Sequence, residues 1–130
     1  MALDPGHNLG VACLAEDGAL LAAGVIRSHD LPGLGLPAGV RLVSGDGTGA
    51  GELLVKLRRL GLAAETTNEE GTSLEGRSLY WMLNPPRGLL RLLPAGLRPS
   101  PAQLDAWAAY AIGLRHLGVA AAAARDRRPA

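Results

Sequence analysis

Three acidic residues, far apart along the chain, have the type and placement expected of a catalytic carboxylate cluster: Asp4, Glu69 and Asp105. Each lies at the start or the end of a predicted helix or strand. If the three side chains converged, their mutual repulsion would strongly raise the pKa of at least one carboxyl group. A divalent cation removes that repulsion, and a ligand set of oxygen atoms alone favours a hard ion, Mg²⁺ or Mn²⁺.

A pair of such ions would give the cluster a definite chemistry. Two ions about 4 Å apart hold a phosphodiester for in-line attack by water, one activating the nucleophile and the other stabilising the leaving 3′ oxygen. The three carboxylates therefore predict metal-dependent phosphodiester hydrolysis if the fold brings them together. Asp46, in a glycine-rich loop, is a candidate for a further metal ligand, although a solvated turn explains it equally well.

Asp105 carries the most informative local pattern of the three. Its neighbours three, four and seven residues along the predicted helix are Ala108, Ala109 and Ile112. This spacing predicts that Asp105 lies on the core-facing stripe of the helix. A carboxylate in that position is costly unless it is paired or bound to a metal. Stabilisation of the helix N-terminus by an acidic side chain is the alternative explanation.

The elements that must position these residues are a meander of strands followed by a strand–helix–strand unit. Pro5-Gly6 and Asp17-Gly18 predict turns between antiparallel strands. The predicted strands are residues 1–5, 9–15, 19–27, 40–44 and 62–67, and the predicted helices are residues 50–60, residues 73–83 and a helix from Ser100-Pro101 through Leu117. This order predicts an α/β (mixed α+β) fold with a five-stranded mixed sheet, three antiparallel strands and then parallel ones, flanked by helices.

Composition limits the classes of function. The 130 residues, 48% hydrophobic and 19% charged, indicate one globular domain, which we expect over residues 1–120 with a disordered tail at 121–130. A net charge of +1 means that nucleic-acid binding would require a local basic patch. One cysteine allows no internal disulfide. We see no signal peptide and no apolar run near eighteen residues, which predicts a cytoplasmic protein with no membrane partner.

Three sequence blocks occur in order over nearly the whole chain. They are Asp4-Pro5-Gly6 with Gly10-Val11-Ala12, then Asn68-Glu69-Glu70-Gly71-Thr72-Ser73, and then Leu104-Asp105-Ala106-Trp107-Ala108-Ala109. They resemble the opening Asp-x-Gly-x-x-x-Gly-Val-Ala hairpin, the Asp-Glu-Arg-x-Thr-Thr segment and the Val-Asp-x-x-Ala-Ala helix start of the YqgF (RuvX) family. That family is a branch of the RuvC-type, RNase H-like nucleases.

The resemblance implies an RNase H-like fold in which Asp4, Glu69 and Asp105 are metal-binding catalytic residues, with two Mn²⁺ or Mg²⁺ ions. It implies hydrolysis of structured or single-stranded RNA, as in processing of ribosomal RNA precursors, or cleavage of branched DNA such as a Holliday junction. We expect a monomer or a homodimer. Glu70 stands where the family has Arg, and His7-Asn8-Leu9 replaces its basic residues. These departures motivate a further alternative, a non-catalytic nucleic-acid-binding module.

A rival interpretation comes from the loop Gly45–Ala50. It satisfies Gly-x-Gly-x-x-Gly/Ala between a strand and a helix, and Glu65 lies about twenty residues further on. This pattern predicts a nucleotide- or S-adenosylmethionine-binding protein. The chain offers only one full strand–helix–strand unit and opens with hairpins, which argues against a dinucleotide-binding fold.

Basic residues near the predicted site are candidates for nucleic-acid contacts. They are Arg77, Arg87, Arg91 and Arg98, which could follow phosphates, and His7, which could orient water or phosphate. Ordinary solvated arginines and a surface histidine in a turn explain the same residues. Tyr80-Trp81 could stack on bases, but helical spacing favours a place in the core for one of the two rings.

Overall fold

A six-stranded mixed sheet with three α-helices organises the computed structural model, which describes residues 1–129. The strands are β1 (Ala2–Asp4), β2 (Asn8–Leu14), β3 (Ala19–Arg27), β4 (Leu42–Gly45), β5 (Ala64–Thr67) and β6 (Arg125–Asp126), and the helices are α1 (Ala50–Arg59), α2 (Thr72–Leu83) and α3 (Leu104–Leu117). The strand order is β5-β4-β1-β2-β3-β6. The predicted mixed sheet flanked by helices is confirmed.

The antiparallel and parallel parts of the sheet follow from the connections. Short turns join β1 to β2 and β2 to β3, so these strands are antiparallel neighbours. β5 runs parallel to β4, because α1 crosses from the end of one to the start of the other, and β4 in turn pairs in parallel with β1. Gly61, at φ +76°, follows α1 in the left-handed conformation that ends a helix without strain.

The prediction of five strands is wrong, because β6 adds a sixth. β6 pairs in parallel with the start of β3 and lies in the segment 121–130, for which we predicted a disordered tail. Long-range contacts hold it there. The Tyr110 hydroxyl donates to the Gly18 carbonyl at 2.7 Å and accepts from the Arg125 backbone N–H at 3.2 Å. These partners of Tyr110 are more than a dozen residues away in the sequence, so no local sequence pattern predicts them.

The two faces of the sheet bury separate apolar layers. On one face, α1 packs Leu53 and Leu57 against Leu3, Leu9 and other strand residues. On the other face lie α3 and, outside it, α2, with a core that includes the following buried residues: Ala12, Leu20, Leu79, Trp107, Tyr110 and Leu114. α3 is therefore enclosed on nearly every side, and all its residues from 106 to 114 are buried.

Most predicted bounds differ from the structure by one or two residues, and two segments differ more. The last helix begins at Leu104 and not at Ser100-Pro101, with Gln103 as its N-cap. Pro101 is buried, so packing holds it before the helix although its sequence context favours a first helical turn. Residues 28–39, predicted as a loop, contain a 3₁₀ turn at Ser28–Gly33 that buries Leu31.

None of the helices within residues 1–129 has the length and apolar character needed to cross a membrane.

Candidate active site

Asp4 and Glu69 meet at the edge where three parallel strands end. Asp4 is the last residue of β1, and the register Leu3 to Ser44 places it level with Gly45 at the end of β4. Gly45 in turn pairs with Thr67, the last residue of β5, two residues before Glu69. Because the carboxyl ends of adjacent parallel strands lie at one edge of a sheet, both carboxylates lie at the same edge, close enough for the charge of Glu69 to raise the pKa of Asp4.

Asp105 reaches this edge through a close contact between α3 and β2. Gly10 pairs with Asp4 across the first hairpin. A Cβ atom built on Gly10 would lie only 2.0 Å from the Asp105 carbonyl oxygen, so no larger residue fits without displacing the helix. The absence of a side chain at Gly10 thus lets the start of α3 sit against the strand beside Asp4. The structure therefore brings together all three carboxylates singled out in the sequence.

The predicted orientation of Asp105 is wrong. Asp105 is exposed, whereas the helix residues that follow it are buried. The apolar neighbours that suggested a core-facing carboxylate reflect burial of α3 on all sides, so they carry no information about direction. Asp105 lies in the first turn, where the helix emerges at the rim of the sheet.

Gly45 and Gly47, in the loop after β4, form a glycine cradle for the Glu69 carboxylate. Cβ atoms built on Gly45 and Gly47 would lie 2.0 Å from Glu69 Oε2 and 1.5 Å from Glu69 Oε1. Asp46, between them, accepts a hydrogen bond from the Glu69 backbone N–H at 3.1 Å. The Thr72 hydroxyl donates to the Glu69 carbonyl at 2.7 Å. Side chain and backbone of Glu69 are thus both held in place.

Burial and like charge raise the pKa values of Asp4 and Glu69. Burial, followed by the charges of Glu69 and then Asp105, raises the pKa of Asp4 to about 7. Burial also raises the pKa of Glu69, as does the nearby charge of Asp46, while the backbone N–H of Gly47 opposes them. Glu69 Oε2 is buried without a hydrogen-bond partner. The cluster is therefore an electrostatically costly arrangement that a cation would relieve.

The donor set suits a hard divalent ion. All side chains of the cluster offer carboxylate oxygens, the unpartnered Glu69 Oε2 has a free coordination position, and the charges repel one another. Within residues 1–129, no three His, Cys, Asp or Glu side chains already stand in a metal-binding arrangement. Asp4, Glu69 and Asp105 would hold the ion, and Asp46 is close enough to Glu69 to influence it.

Arg115, which the sequence analysis did not single out, contacts the backbone on both sides of Glu69. From the last turn of α3, its Nη1 atom donates to the carbonyl oxygens of Asn68 at 2.7 Å and Glu70 at 2.8 Å. Its Nη2 atom pairs with Glu75. Arg115 therefore clamps the backbone on both sides of Glu69. A lone arginine near a helix C-terminus gives no local signal of this role, because its partners lie 45 and 47 residues earlier.

The predicted basic residues separate into two groups. Arg77 and Arg98 lie together beside Trp81 at the outer face of α2. Arg87 and Arg91 are exposed on the segment between α2 and α3 and are not among the residues that line the pocket beside Trp81. His7 is exposed in the turn that follows Asp4. The four arginines therefore do not form the single basic patch predicted from the sequence. Arg77 and Arg98 form a pair, and Arg87 and Arg91 lie outside it.

The glycine-rich loop does not fit the dinucleotide interpretation. The space left by Gly45 and Gly47, which a pyrophosphate would need, is filled by the Glu69 carboxylate. A carboxylate there would repel a phosphate. In a dinucleotide-binding fold, the acidic residue about twenty positions after the loop would bind a ribose hydroxyl. Here that residue, Glu65, instead pairs with Arg41 and His116.

The chain matches no family model, no curated protein and no solved structure.

Proposed function

We propose that this protein is a divalent-metal-dependent nuclease with an RNase H-like fold. The observation that carries the proposal is the convergence of Asp4, Glu69 and Asp105 at the carboxyl edge of the sheet. The strand order β3-β2-β1-β4-β5, with β2 antiparallel to both neighbours, supports the fold that the three sequence blocks imply. Hydrolysis of a phosphodiester is the chemistry that such a cluster serves.

Each carboxylate has a distinct task in this proposal. Asp4, with its pKa near 7, gives up its proton when a cation binds, so cation affinity rises with pH. Glu69 is fixed by the glycine cradle and supplies a buried oxygen. Asp105, exposed at the rim, faces the side from which substrate arrives. When bound, two Mn²⁺ or Mg²⁺ ions supply activation of the attacking water and stabilisation of the leaving oxygen.

The substrate we propose is structured or single-stranded RNA, as in processing of ribosomal RNA precursors. This assignment rests on the family resemblance and would place the protein in the cytoplasm, as a monomer or a homodimer. The second candidate is a non-catalytic nucleic-acid-binding module. It is favoured by Glu70, an exposed negative charge directly beside Glu69 that would repel a scissile phosphate.

The test is cleavage of single-stranded RNA, single-stranded DNA and a four-way DNA junction in Mn²⁺, Mg²⁺ or EDTA. Asp4→Asn, Glu69→Gln and Asp105→Asn should abolish cleavage, and EDTA should stop it. Glu16→Gln is the control, because Glu16 is exposed in the turn between β2 and β3 at the opposite end of the sheet. Cleavage that survives the three substitutions would overturn the metal mechanism. Metal-independent binding without cleavage would favour the non-catalytic module, and preference for the junction would favour the resolvase.

A further inference from the structure

A second polar site lies on the outer face of α2, apart from the carboxylates. The Arg–Trp pocket, as we name it, is lined by Arg77, Trp81 and Arg98 together with Leu74, Ser78, Met82, Ala95 and Gly96. The Arg98 guanidinium lies 5.7 Å from the centre of the Trp81 ring, over its face. The Arg77 guanidinium donates to the Arg98 carbonyl oxygen, which ties the helix to the segment before α3.

The pocket contains hydrogen-bond donors that have no acceptor. Four buried side-chain nitrogen or oxygen atoms in residues 1–129 lack a partner. One is the Glu69 oxygen of the carboxylate cluster, and the other three are Arg77 Nε, Trp81 Nε1 and Arg98 Nε. Leaving a buried donor without an acceptor is unfavourable, more so when the donor is charged. All three orphaned donors of one pocket would be satisfied by a ligand that brings several acceptor oxygens and negative charge.

No acidic residue of the surrounding chain can fill that role. Residues 76–104 contain four arginines and no Asp or Glu. Glu75, just outside this stretch, is already paired with Arg115. The net charge of the whole chain is only +1, so this acid-free stretch is a local excess of positive charge along the sequence. An acceptor brought by another molecule would satisfy these donors.

We propose that the Arg–Trp pocket binds a backbone phosphate of a nucleic-acid strand whose scissile bond lies at the carboxylate cluster. Phosphate suits the pocket because a guanidinium group presents donors in a planar fork that matches phosphate oxygens. The indole ring adds an aromatic surface beside the phosphate on which a base can stack. The proposal rests on the proposed function for its substrate, and names a subsite that the carboxylates do not provide.

The two sites are close enough to share one strand. Gly76 packs against the backbone of Trp107 and Ala108, within one helical turn of Asp105. Seven residues lead from Arg98 to Asp105, so at most ~25 Å separates them. At about 3.4 Å per stacked nucleotide, a strand of roughly seven nucleotides spans that distance. A dinucleotide does not provide a strand of that length.

The test is binding of a fluorescein-labelled single-stranded RNA of twelve nucleotides, measured by anisotropy in EDTA over a range of salt concentrations. Arg98→Gln and Arg77→Gln should each weaken binding by about tenfold and reduce the salt slope by about 0.7 per lost phosphate contact. Arg58→Gln removes the same charge from an exposed position on α1, across the sheet, and should leave binding unchanged. Arg98→Lys keeps the charge without the fork and should give intermediate affinity, provided circular dichroism shows a folded protein.

Further readouts separate this subsite from a merely structural role. The RNA should quench Trp81 fluorescence, measured as the difference between wild type and Trp81→Phe, and a dinucleotide should not. Inorganic phosphate should compete weakly. Equal affinities for Arg98→Gln and Arg58→Gln would overturn the subsite. An oligoglutamate peptide that displaces RNA at equal concentration would show an acidic-protein site instead, and would also overturn it.

The two proposals can fail separately. Hydrolysis of bis(p-nitrophenyl) phosphate, which carries no nucleotides beyond its single phosphodiester, reports on the carboxylates alone. Its loss in Asp105→Asn and retention in Arg98→Gln, beside weakened RNA binding in Arg98→Gln, is the expected result. If no phosphodiester is hydrolysed while RNA binding still depends on Arg98, the subsite stands and the nuclease proposal falls.

Discussion

The pKa values of acidic residues are shifted in opposite directions at the two ends of the parallel strands. At the carboxyl end, burial and like charge raise the pKa values of Asp4 and Glu69. At the other end, Glu65 lies within 2.7 Å of His116 Nε2 and 3.1 Å of Arg41, and these hydrogen bonds lower its pKa. One end therefore stores electrostatic repulsion, which a ligand can relieve, while the other uses carboxylates to hold elements together. Repulsion kept in a folded protein is a mark of a functional site.

Matched substitutions of Glu65, on β5, and Glu69, just after β5, should give the largest contrast in cleavage rate. Glu69→Gln removes a proposed metal ligand and should lower the rate of RNA cleavage on the order of 10³-fold. Glu65→Gln is the same chemical change at the structural end and should leave the rate within about twofold. The measurement is the cleavage rate at saturating Mn²⁺. An equal loss of rate in both variants would contradict the division between the two ends of the strands.

The glycine cradle should be sensitive to a single methyl group. In Gly47→Ala the new Cβ would lie 1.5 Å from Glu69 Oε1, so the carboxylate must move. We expect cleavage to fall by about 10- to 100-fold with little loss of secondary structure. Gly51→Ala is the control, because a Cβ at Gly51 meets nothing within 4 Å. Full activity in Gly47→Ala would show that Glu69 has no fixed place in the chemistry.

Stability should change in the opposite direction to activity at Asp4. The pKa of Asp4 is raised to about 7 by burial, so its favourable contribution to folding is complete below its unfolded pKa and is lost as pH rises through 7. Asp4→Asn should therefore raise the free energy of unfolding in EDTA at pH 8, on the order of 2 kcal/mol after allowance for solvent screening. The gain should shrink toward pH 4. Urea titrations at both pH values, with EDTA present, measure it, and a loss of stability at pH 8 would contradict the stored repulsion.

The smallest effect is expected at Asp17, in the turn between β2 and β3. The Ala19 backbone N–H, followed by Arg125 and Arg127, lowers the pKa of Asp17. The stabilisation is thus present above its unfolded pKa and lost as pH falls through the folded value. Because these groups are exposed, Asp17→Asn should lower the melting temperature by no more than a few degrees at pH 7. It should also speed hydrogen exchange at the Arg127 N–H, which bonds the Leu20 carbonyl at 2.8 Å. Unchanged exchange would show that the interactions of Asp17 with Arg125 and Arg127 do not hold β6 in place.

Local signals predicted much of the scaffold. The turns at Pro5-Gly6 and Asp17-Gly18 and the helical spacing of Leu53 and Leu57 act over a few residues, so β3 was predicted with its observed bounds, Ala19–Arg27. The direction of Asp105 was predicted wrongly because its apolar neighbours are buried for a reason common to the whole helix. β6 and the clamp by Arg115 escaped prediction because they depend on partners far away in the sequence.

By itself the sequence determined which residues could do chemistry and which elements carry them, because turn chemistry, periodicity and carboxylate type are properties of a few neighbouring residues. Only the tertiary structure decided that Gly10 lets α3 approach Asp4 and that Gly45 and Gly47 enclose Glu69. It alone placed Arg77 and Arg98 around Trp81. Burial, steric exclusion and the raised pKa values depend on distances between atoms remote in the chain, and those distances exist only after folding.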